Sequence, residues 1–462
     1  MTESITAIAP LTFSGHGNNS VMRRALLIAY WYPPLNAIGA IRPAALAKYL
    51  PRYGWEAVIL TPSSKGRQAD DSIIETGYSD VVAEWKTRLR LDSRRSVHEQ
   101  FRLPVASERG SEYPHTWALK LFRYLLTYPD PYKGWVPYAV SALEKLRQER
   151  VPIDAVISTS PPITCHLIGR RAKQILGCPW IADLRDLWTQ NLGDFTQTFR
   201  FIEVPLEKRT LREADALVTV SDPWVKRLRQ HHHKAEITTI TNGFDPDDFS
   251  CLRPALTKEF SIVYAGRLYE GLRDPSILLE VIRDLLAEGK MSEHDVRIRF
   301  YGPPEVWLPA MVARYGLQQV VEIHGNVART EALQREMESQ ILLLLPWSDL
   351  KETGHHTGKL FEYFGAARPI LAVGGATGVL TDILQETGAG VHAISMQQVR
   401  DYLLKAYTDY KLIGSVPYYG NERLISSYNH LQMAQRFAQL MDKMVKGAAE
   451  ARAPEQTLSP SL

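Results

Sequence analysis

FSIVYAGRLYEGLRDPSILLEVI, from Phe260 to Ile282, changes period twice within one short stretch. It opens as a β-branched and aromatic run that ends at Gly266, and from about Pro275 the apolar residues return at helical spacing. Between the two lies a glycine-punctuated loop that carries Arg267 and Arg273. A strand, a loop and a helix in that order begin a βαβ unit. The rhythm continues through VRIRFYG, a helix over Val306 to Tyr315, VVEIHG, a helix from Thr330, ILLLLPW, a short helix stopped before Pro369, then PILAV and AGVHA.

The residues before this stretch follow the same alternation. ALLIAYW, AALAKYLPRYG, WEAVILT, DAVIST, a helix to Leu176, PWIADLRDLW, a helix over Pro205 to Glu213, ALVTV and EITTIT come in sequence. Continuous apolar strands alternating with helices mean parallel sheets covered on both faces. The fold expected is α/β, with two doubly wound Rossmann-like domains facing a cleft, and open sheets of this kind bind ligands at the carboxyl ends of their strands. Glycine, proline and aspartate interrupt both patterns between Asn242 and Phe260, so the domains are set at 21–250 and 251–425. A helix over 426–446 is expected to pack back across them. Residues 1–20 and 447–462 read as disordered ends, and 62–112, rich in Arg and Ser, as an irregular insertion.

Composition narrows the function. The 462 residues are 45% apolar, enough for two cores, and 54 Lys and Arg against 51 Asp and Glu leave a formal charge of +3, far from a nucleic-acid binder. Three cysteines, Cys165, Cys178 and Cys251, have no metal-ligand spacing and fit reduced thiols in a cytoplasmic protein. No run of 18 apolar residues is present, and the N-terminal segment lacks the basic region of a signal peptide.

Nearly every unusual cluster falls at a strand's carboxyl end. Gly39, with Arg42 in the first turn of the following helix, is a candidate phosphate cradle or a plain turn with a solvated cation. The dinucleotide fingerprint is missing, since WEAVILTP ends without an acidic residue. Arg267 and Arg273 are planar forks suited to diphosphate oxygens, or solvated loop residues. Asp183, Arg185 and Asp186 leave the strand in IADLRDLW, either towards a ligand or as an ion-pair cluster. Asp186 is favoured for contact with substrate because it lies further beyond the strand, beside Trp188, whose ring could pack on a sugar. The DPDD run, Asp245 to Asp248, reads as a turn more readily than as a metal site, and His231 to His233 are no better. In TGKLFEYFGAARPIL a lone glutamate, Glu362, sits in an apolar helix start, where it is either an ion-pair partner or a ligand group.

Taken together, YPP with Gly39 and Arg42, STSPP, ADLRDLW, VTVSD, TNGFD, YAGRLY and TGKLFEYFGAARPIL resemble the retaining glycosyltransferases of family 4, with GT-B architecture, over most of residues 25–445. The resemblance implies a metal-independent hexosyltransferase that uses a nucleoside diphosphate sugar as co-substrate, with no cofactor. It implies that Glu362 accepts hydrogen bonds from the donor ribose. Gly354, Thr357 and Gly358 would face the donor sugar, and Asn326 and Val327 the nucleobase. Arg267, Arg273, Lys359, Gly39 and Arg42 would hold the diphosphate, and Asp186, Asp183 and Arg185 would form the catalytic contribution of the first domain. Two positions depart from the family pattern: the glutamate eight residues before Glu362 is Gly354, with Glu352 or Lys359 as stand-ins, and the lysine five residues after Arg267 is Leu272, followed by Arg273.

The expected function is transfer of a sugar to a glycan or lipid-linked hydroxyl acceptor, with retention, in glycan or cell-surface polysaccharide synthesis. A GT-B-fold sugar-nucleotide epimerase and a non-catalytic nucleotide-sugar-binding subunit are the alternatives. Residues 113–138 suggest peripheral association with the cytoplasmic face of a membrane: Trp117, Leu121, Tyr124, Leu125 and Tyr128 share one helical face, and 86–109 carry seven basic against three acidic residues. The competing reading is a helix buried within its own domain.

Overall fold

The computed structural model describes residues 22–35, 37–88, 121, 124–190, 200–347, 354 and 357–452. They form two compact units. The first comprises the described residues through Val220, with Val225–Ile240 and those from Ala434 on; the second comprises Ser221–Trp224 and Thr241–Met433. The junction therefore falls at Thr241 rather than 251. The expected disordered N-terminal segment lies outside the described residues. The last helix runs from His430 to Arg452, so it starts later than expected and includes residues 447–452, which had been read as tail.

In the first unit the strands are β1 (Arg23–Ile28), β2 (Trp55–Pro62), β3 (Ile73–Thr76), β4 (Ala155–Ser160), β5 (Trp180–Leu184), β6 (Ala216–Thr219) and β7 (Glu236–Thr239). All neighbours are parallel, in the order β3-β2-β1-β4-β5-β6-β7. β3 corrects the reading of 62–112 as irregular. Four residues, IIET, pair with β2 from Ile59 to Pro62 and extend the sheet by an edge strand too short to show a period, and a helix over Val81–Arg88 follows. Residues 89–112 of that stretch lie outside the described residues.

The second unit repeats the design with β8 (Phe260–Ala265), β9 (Val296–Tyr301), β10 (Val321–Gly325), β11 (Ile341–Leu344), β12 (Ile370–Val373) and β13 (Gly390–Ala393), in the parallel order β10-β9-β8-β11-β12-β13. Each sheet reverses its order at one place, between β1 and β4 and between β8 and β11. There the connecting loops diverge and leave a crevice at the carboxyl ends.

The two faces of the second sheet have separate cores. Phe260, Ile262 and Tyr264 pack with helices Ser276–Ala287 and Met396–Ile413, whereas Val263 and Ala265 face the opposite side with helix Gly358–Ala366. That helix starts where the Thr357 side chain accepts from the Lys359 N–H at 3.0 Å, and it buries Leu360, Phe361, Tyr363, Phe364 and Ala366. Tyr363 donates its hydroxyl to Leu343 O at 2.9 Å, which fixes the helix on β11. The helix ends at Ala367, in the left-handed region at φ 51, ahead of Arg368 and Pro369.

Gly365 makes the closest approach on this face: a Cβ there would lie 2.2 Å from Phe249 Cε2. Phe249 is buried in helix Pro246–Ser250, so the helices must separate to admit a methyl group. Gly365→Ala is expected to destabilise the second unit by about 1–3 kcal/mol despite the better helix propensity of alanine. Chemical denaturation would measure it, and an unchanged midpoint would show that Phe249 yields freely.

Candidate active site

β5 runs into the sequence Asp183-Leu184-Arg185-Asp186, and the structure separates the three charged residues that the sequence grouped. Asp183 has no exposed surface. Its carboxylate accepts from Arg42 Nε and Nη2, both at 2.9 Å, and from Thr159 Oγ1 at 2.8 Å. Arg42, 3% exposed, also donates to Ile240 O at 2.9 Å and lies with its Cζ 5.1 Å from the Phe437 ring centroid. The two charges close on each other, which corrects their assignment to substrate: Arg42 is no accessible phosphate ligand, and Asp183 is a pin inside the sheet.

Arg185 is a staple. It donates to Ser160 O and Gly39 O at 3.0 Å and to Pro161 O at 2.9 Å, so its guanidinium joins the loops after β1, β4 and β5. That argues for a structural rather than the expected catalytic role, since each guanidinium nitrogen donates to a backbone carbonyl. Trp188 is buried as well, with its indole N–H on Glu203 Oε2 at 2.8 Å, and presents no face to a sugar. Asp186 is half-exposed, as Arg185 is, but it makes no hydrogen bond among the described residues.

Gly39 lies in the first turn of helix Ile38–Tyr49, which has no side-chain cap; a Cβ at Gly39 would lie 2.7 Å from Trp31 Cδ1. Beside it is a cluster that sequence reading missed. Tyr30 lies 5.0 Å from Trp31, 5.8 Å from Tyr78 and 4.3 Å from Tyr132, centroid to centroid. All four are half-buried at the carboxyl edge of the sheet. The run YWY was the only local signal, because Tyr78 and Tyr132 reach it through tertiary structure.

In the second unit the cations converge on the turn after β8. Gly266 sits at φ 156, and a Cβ there would lie 3.5 Å from Lys359 Cε. Arg273 is held by backbone exchange with Tyr269, at 3.1 and 2.8 Å. Its Cζ lies 5.9 Å from the Tyr269 ring and 5.6 Å from Trp347, and its buried Nε has no partner. Aromatic faces position this guanidinium, and the Tyr264 hydroxyl interacts with it, while Nε stays unpaired. Arg267 is exposed next to it, and its carbonyl accepts the Tyr264 hydroxyl at 2.8 Å.

Glu362 is not a lone carboxylate. Oε2 accepts from Lys359 Nζ at 2.7 Å and Oε1 from Arg329 Nη1 at 3.0 Å, and Arg329 also reaches Asp248 at 2.9 Å. Each carboxylate oxygen keeps a second lone pair. Lys359 contacts a second carboxyl, Glu336, at 3.4 Å, and burial pushes that group up to about 8 despite the lysine. Asp248 is thus an ion-pair partner, and Asp245 caps helix Pro246–Ser250 by accepting from Asp247 N at 3.0 Å. His232 pairs with the buried Glu207 at 2.9 Å. No group of three metal-ligating side chains occurs among the described residues.

Gly354 is buried, and a Cβ there would meet Trp224 Cδ1 at 2.4 Å. The indole fills the room that a glutamate at that position would need; Glu352, its alternative, lies outside the described residues. Thr357 and Gly358 form the helix start described above. Asn326 is exposed after Gly325, whereas Val327 lines a groove of about 450 Å³ with Arg299, Glu322, Arg335 and the stacked pair Tyr301 and His324, 4.6 Å apart.

Residues 39–243 match a family model described as a glycosyl transferase 4-like domain. Among solved structures the chain resembles HepE from Anabaena in complex with UDP and glucose, at 12% identity over 91% of this chain and 100% of that one, TM-score 0.54. It also resembles sucrose-phosphate synthase from Thermosynechococcus elongatus, at 14% identity over 92% and 100%, TM-score 0.59. The α,α-trehalose 6-phosphate synthase from Burkholderia multivorans matches at 11% identity over 95% and 100%, TM-score 0.61. At such identities the likeness shows the fold, the two-unit GT-B arrangement of parallel sheets; with the family match it supports a glycosyltransferase. No curated protein matches the sequence significantly.

If Asp183 is a structural pin, its loss must cost stability. Asp183→Asn leaves the Arg42 guanidinium buried without its counter-charge, which is expected to destabilise the first unit by about 3–5 kcal/mol. Activity and thermal stability should fall together. A stable Asp183→Asn protein that has lost only turnover would return Asp183 to the catalytic group.

Proposed function

We propose that the chain transfers a sugar from a nucleoside diphosphate sugar to a hydroxyl acceptor. The observation that carries this is Arg273, a guanidinium packed against the T-shaped pair Tyr269 and Trp347 with a buried, unpartnered Nε, in the turn that carries Arg267 and that Lys359 approaches at Gly266. Cleavage of a glycosyl–phosphate bond leaves negative charge on the departing diphosphate. Fixed cations there stabilise the transition state more than the ground state. Glu362, oriented by Lys359 and Arg329, would use its remaining lone pairs on the ribose hydroxyls. Asn326 and Val327 would meet the base, and Gly354, Thr357 and Gly358 the sugar. Gly39 would leave the uncapped helix start of the first unit open to an anion.

On the acceptor side Tyr30, Trp31, Tyr78 and Tyr132 offer ring faces and hydroxyls to a saccharide, with Asp186 as the polar group that meets a reacting hydroxyl. The reading extends to metal independence, which the structural use of Asp245 and Asp248 supports. It extends also to a family 4 retaining reaction in glycan or polysaccharide synthesis.

A panel of nucleotide sugars offered with glycan and lipid-linked acceptors, in the presence of EDTA, tests the reading. Transfer with retained anomeric configuration is expected. Arg273→Ala should cut turnover by about 10²–10³, and Asp186→Asn by about a hundredfold with donor affinity kept. A folded Asp186→Asn enzyme of normal turnover would remove that residue from the reaction, and sugar epimerised without acceptor would replace transfer altogether.

We further propose that the first unit meets lipid-linked acceptors at the cytoplasmic face of a membrane. Leu125 and Phe201 are 54% and 74% exposed, and Tyr128 joins their segments by donating to Ile202 O at 3.2 Å. Trp117 and most of 86–109 lie outside the described residues, and no described helix is long and apolar enough to cross a membrane. Flotation with anionic liposomes should be salt-sensitive and weakened by Phe201→Glu. Recovery of all the protein in the unbound fraction at low salt would overturn it.

A further inference from the structure

Glu336 has no exposed surface, yet its Oε2 finds no hydrogen-bond partner and its Oε1 only the 3.4 Å contact with Lys359. A buried carboxyl so poorly served is costly, and an apolar side chain on helix Arg329–Glu338 would pack there without that cost. The groups around it are Lys359 and Glu362 from helix Gly358–Ala366 and Arg329 from its own helix. Tyr363 interacts with Glu336, and Tyr264 at the end of β8 with both Tyr363 and Lys359. Lys359 is therefore shared between two carboxyls, one facing outward at 2.7 Å and one inward at 3.4 Å.

We propose that Glu336 is a positioning residue that controls how the Lys359 ammonium is presented to the diphosphate of the donor. This rests on the reading of the turn after β8 as the donor site. In its neutral form Glu336 cannot compete for the ammonium, which stays with Glu362 beside Gly266. When Glu336 ionises, its proton passes to solvent. The new carboxylate then draws Nζ inward and adds negative charge where a dianion must bind.

The sign of the linkage is fixed by the direction of the shift. The folded carboxyl titrates above its unfolded value, so the stability it contributes is full below the ordinary glutamate range near 4.3 and is lost as pH rises to about 8. Glu336→Gln keeps the shape and removes the titration. Its thermal unfolding temperature should exceed that of the wild type by a margin that widens across this window. A constant margin would mean that Glu336 is not held neutral, and would overturn the proposal.

UDP binding measured by calorimetry gives the functional readout. Wild-type affinity should fall about tenfold relative to Glu336→Gln between about pH 6.5 and about pH 9. The effect should sit in KM for the donor rather than in kcat. Lys359→Met removes the ammonium that Glu336 acts on, so its own UDP affinity should change less with pH than that of the wild type, which serves where the glutamine variant folds poorly. Parallel pH curves for wild type and variant overturn the inference and leave the donor site standing. If no protein binds UDP or any other nucleoside diphosphate, the donor-site reading fails, and the inference with it.

Discussion

A carboxylate inside a parallel strand, with helices on both faces, has nowhere to find water. Asp183 is in that position within β5, and Arg42 answers it with two parallel N–H bonds of 2.9 Å while Thr159 adds a third. The pair is weak evidence for stability gained, because an apolar pair of similar volume could do as well. Its effect is on specificity. The fork fits one arrangement of helix Ile38–Tyr49, β4 and β5, and Arg185 extends it by holding the carbonyls of Gly39, Ser160 and Pro161. The loop that carries Asp186 and the turn that carries Gly39 are thereby set by the same charged core.

The second unit reaches a similar end with different means. Among the described residues no buried bidentate pair fixes its crevice; two helices on one sheet face, Arg329–Glu338 and Gly358–Ala366, bring Arg329, Glu336, Lys359 and Glu362 together. Glycines at Gly266 and Gly365 allow the approaches on which this depends, and Trp224 closes the space at Gly354. The charges are balanced in pairs, so an arriving anion exchanges partners within a network. Arg273 stands apart from that balance because aromatic rings hold it.

The fold was legible because each parallel strand is a continuous apolar run, and both sheets follow from counting those runs. β3 was not, because IIET is too short for any period and owes its place to pairing with β2. At the candidate site, the sequence put the charged clusters at strand ends and misjudged the surroundings of several side chains. Asp183, Arg185 and Asp186 are adjacent in sequence, and only tertiary partners from Arg42 and Thr159 decide that one is buried, one stapled and one open. Trp188 was misread for the same reason, since Glu203 lies in a later helix. Glu362 stood out because it breaks an apolar pattern. Glu336 sits among the charged residues of QREMESQ, where no pattern marks it as buried.

That contrast bears on how a buried charge should be weighed. Arg42 and Asp183 pair with each other almost wholly out of solvent, so their burial argues for architecture. Glu336 is buried and Arg273 half-buried, each with a buried atom left over. An unsatisfied polar atom destabilises the protein by roughly 1–3 kcal/mol, and small domains have little stability to lose. Where such atoms gather at the carboxyl edge of a parallel sheet, beside a cation fixed by aromatic rings, the missing partner is better sought in a ligand than in the fold.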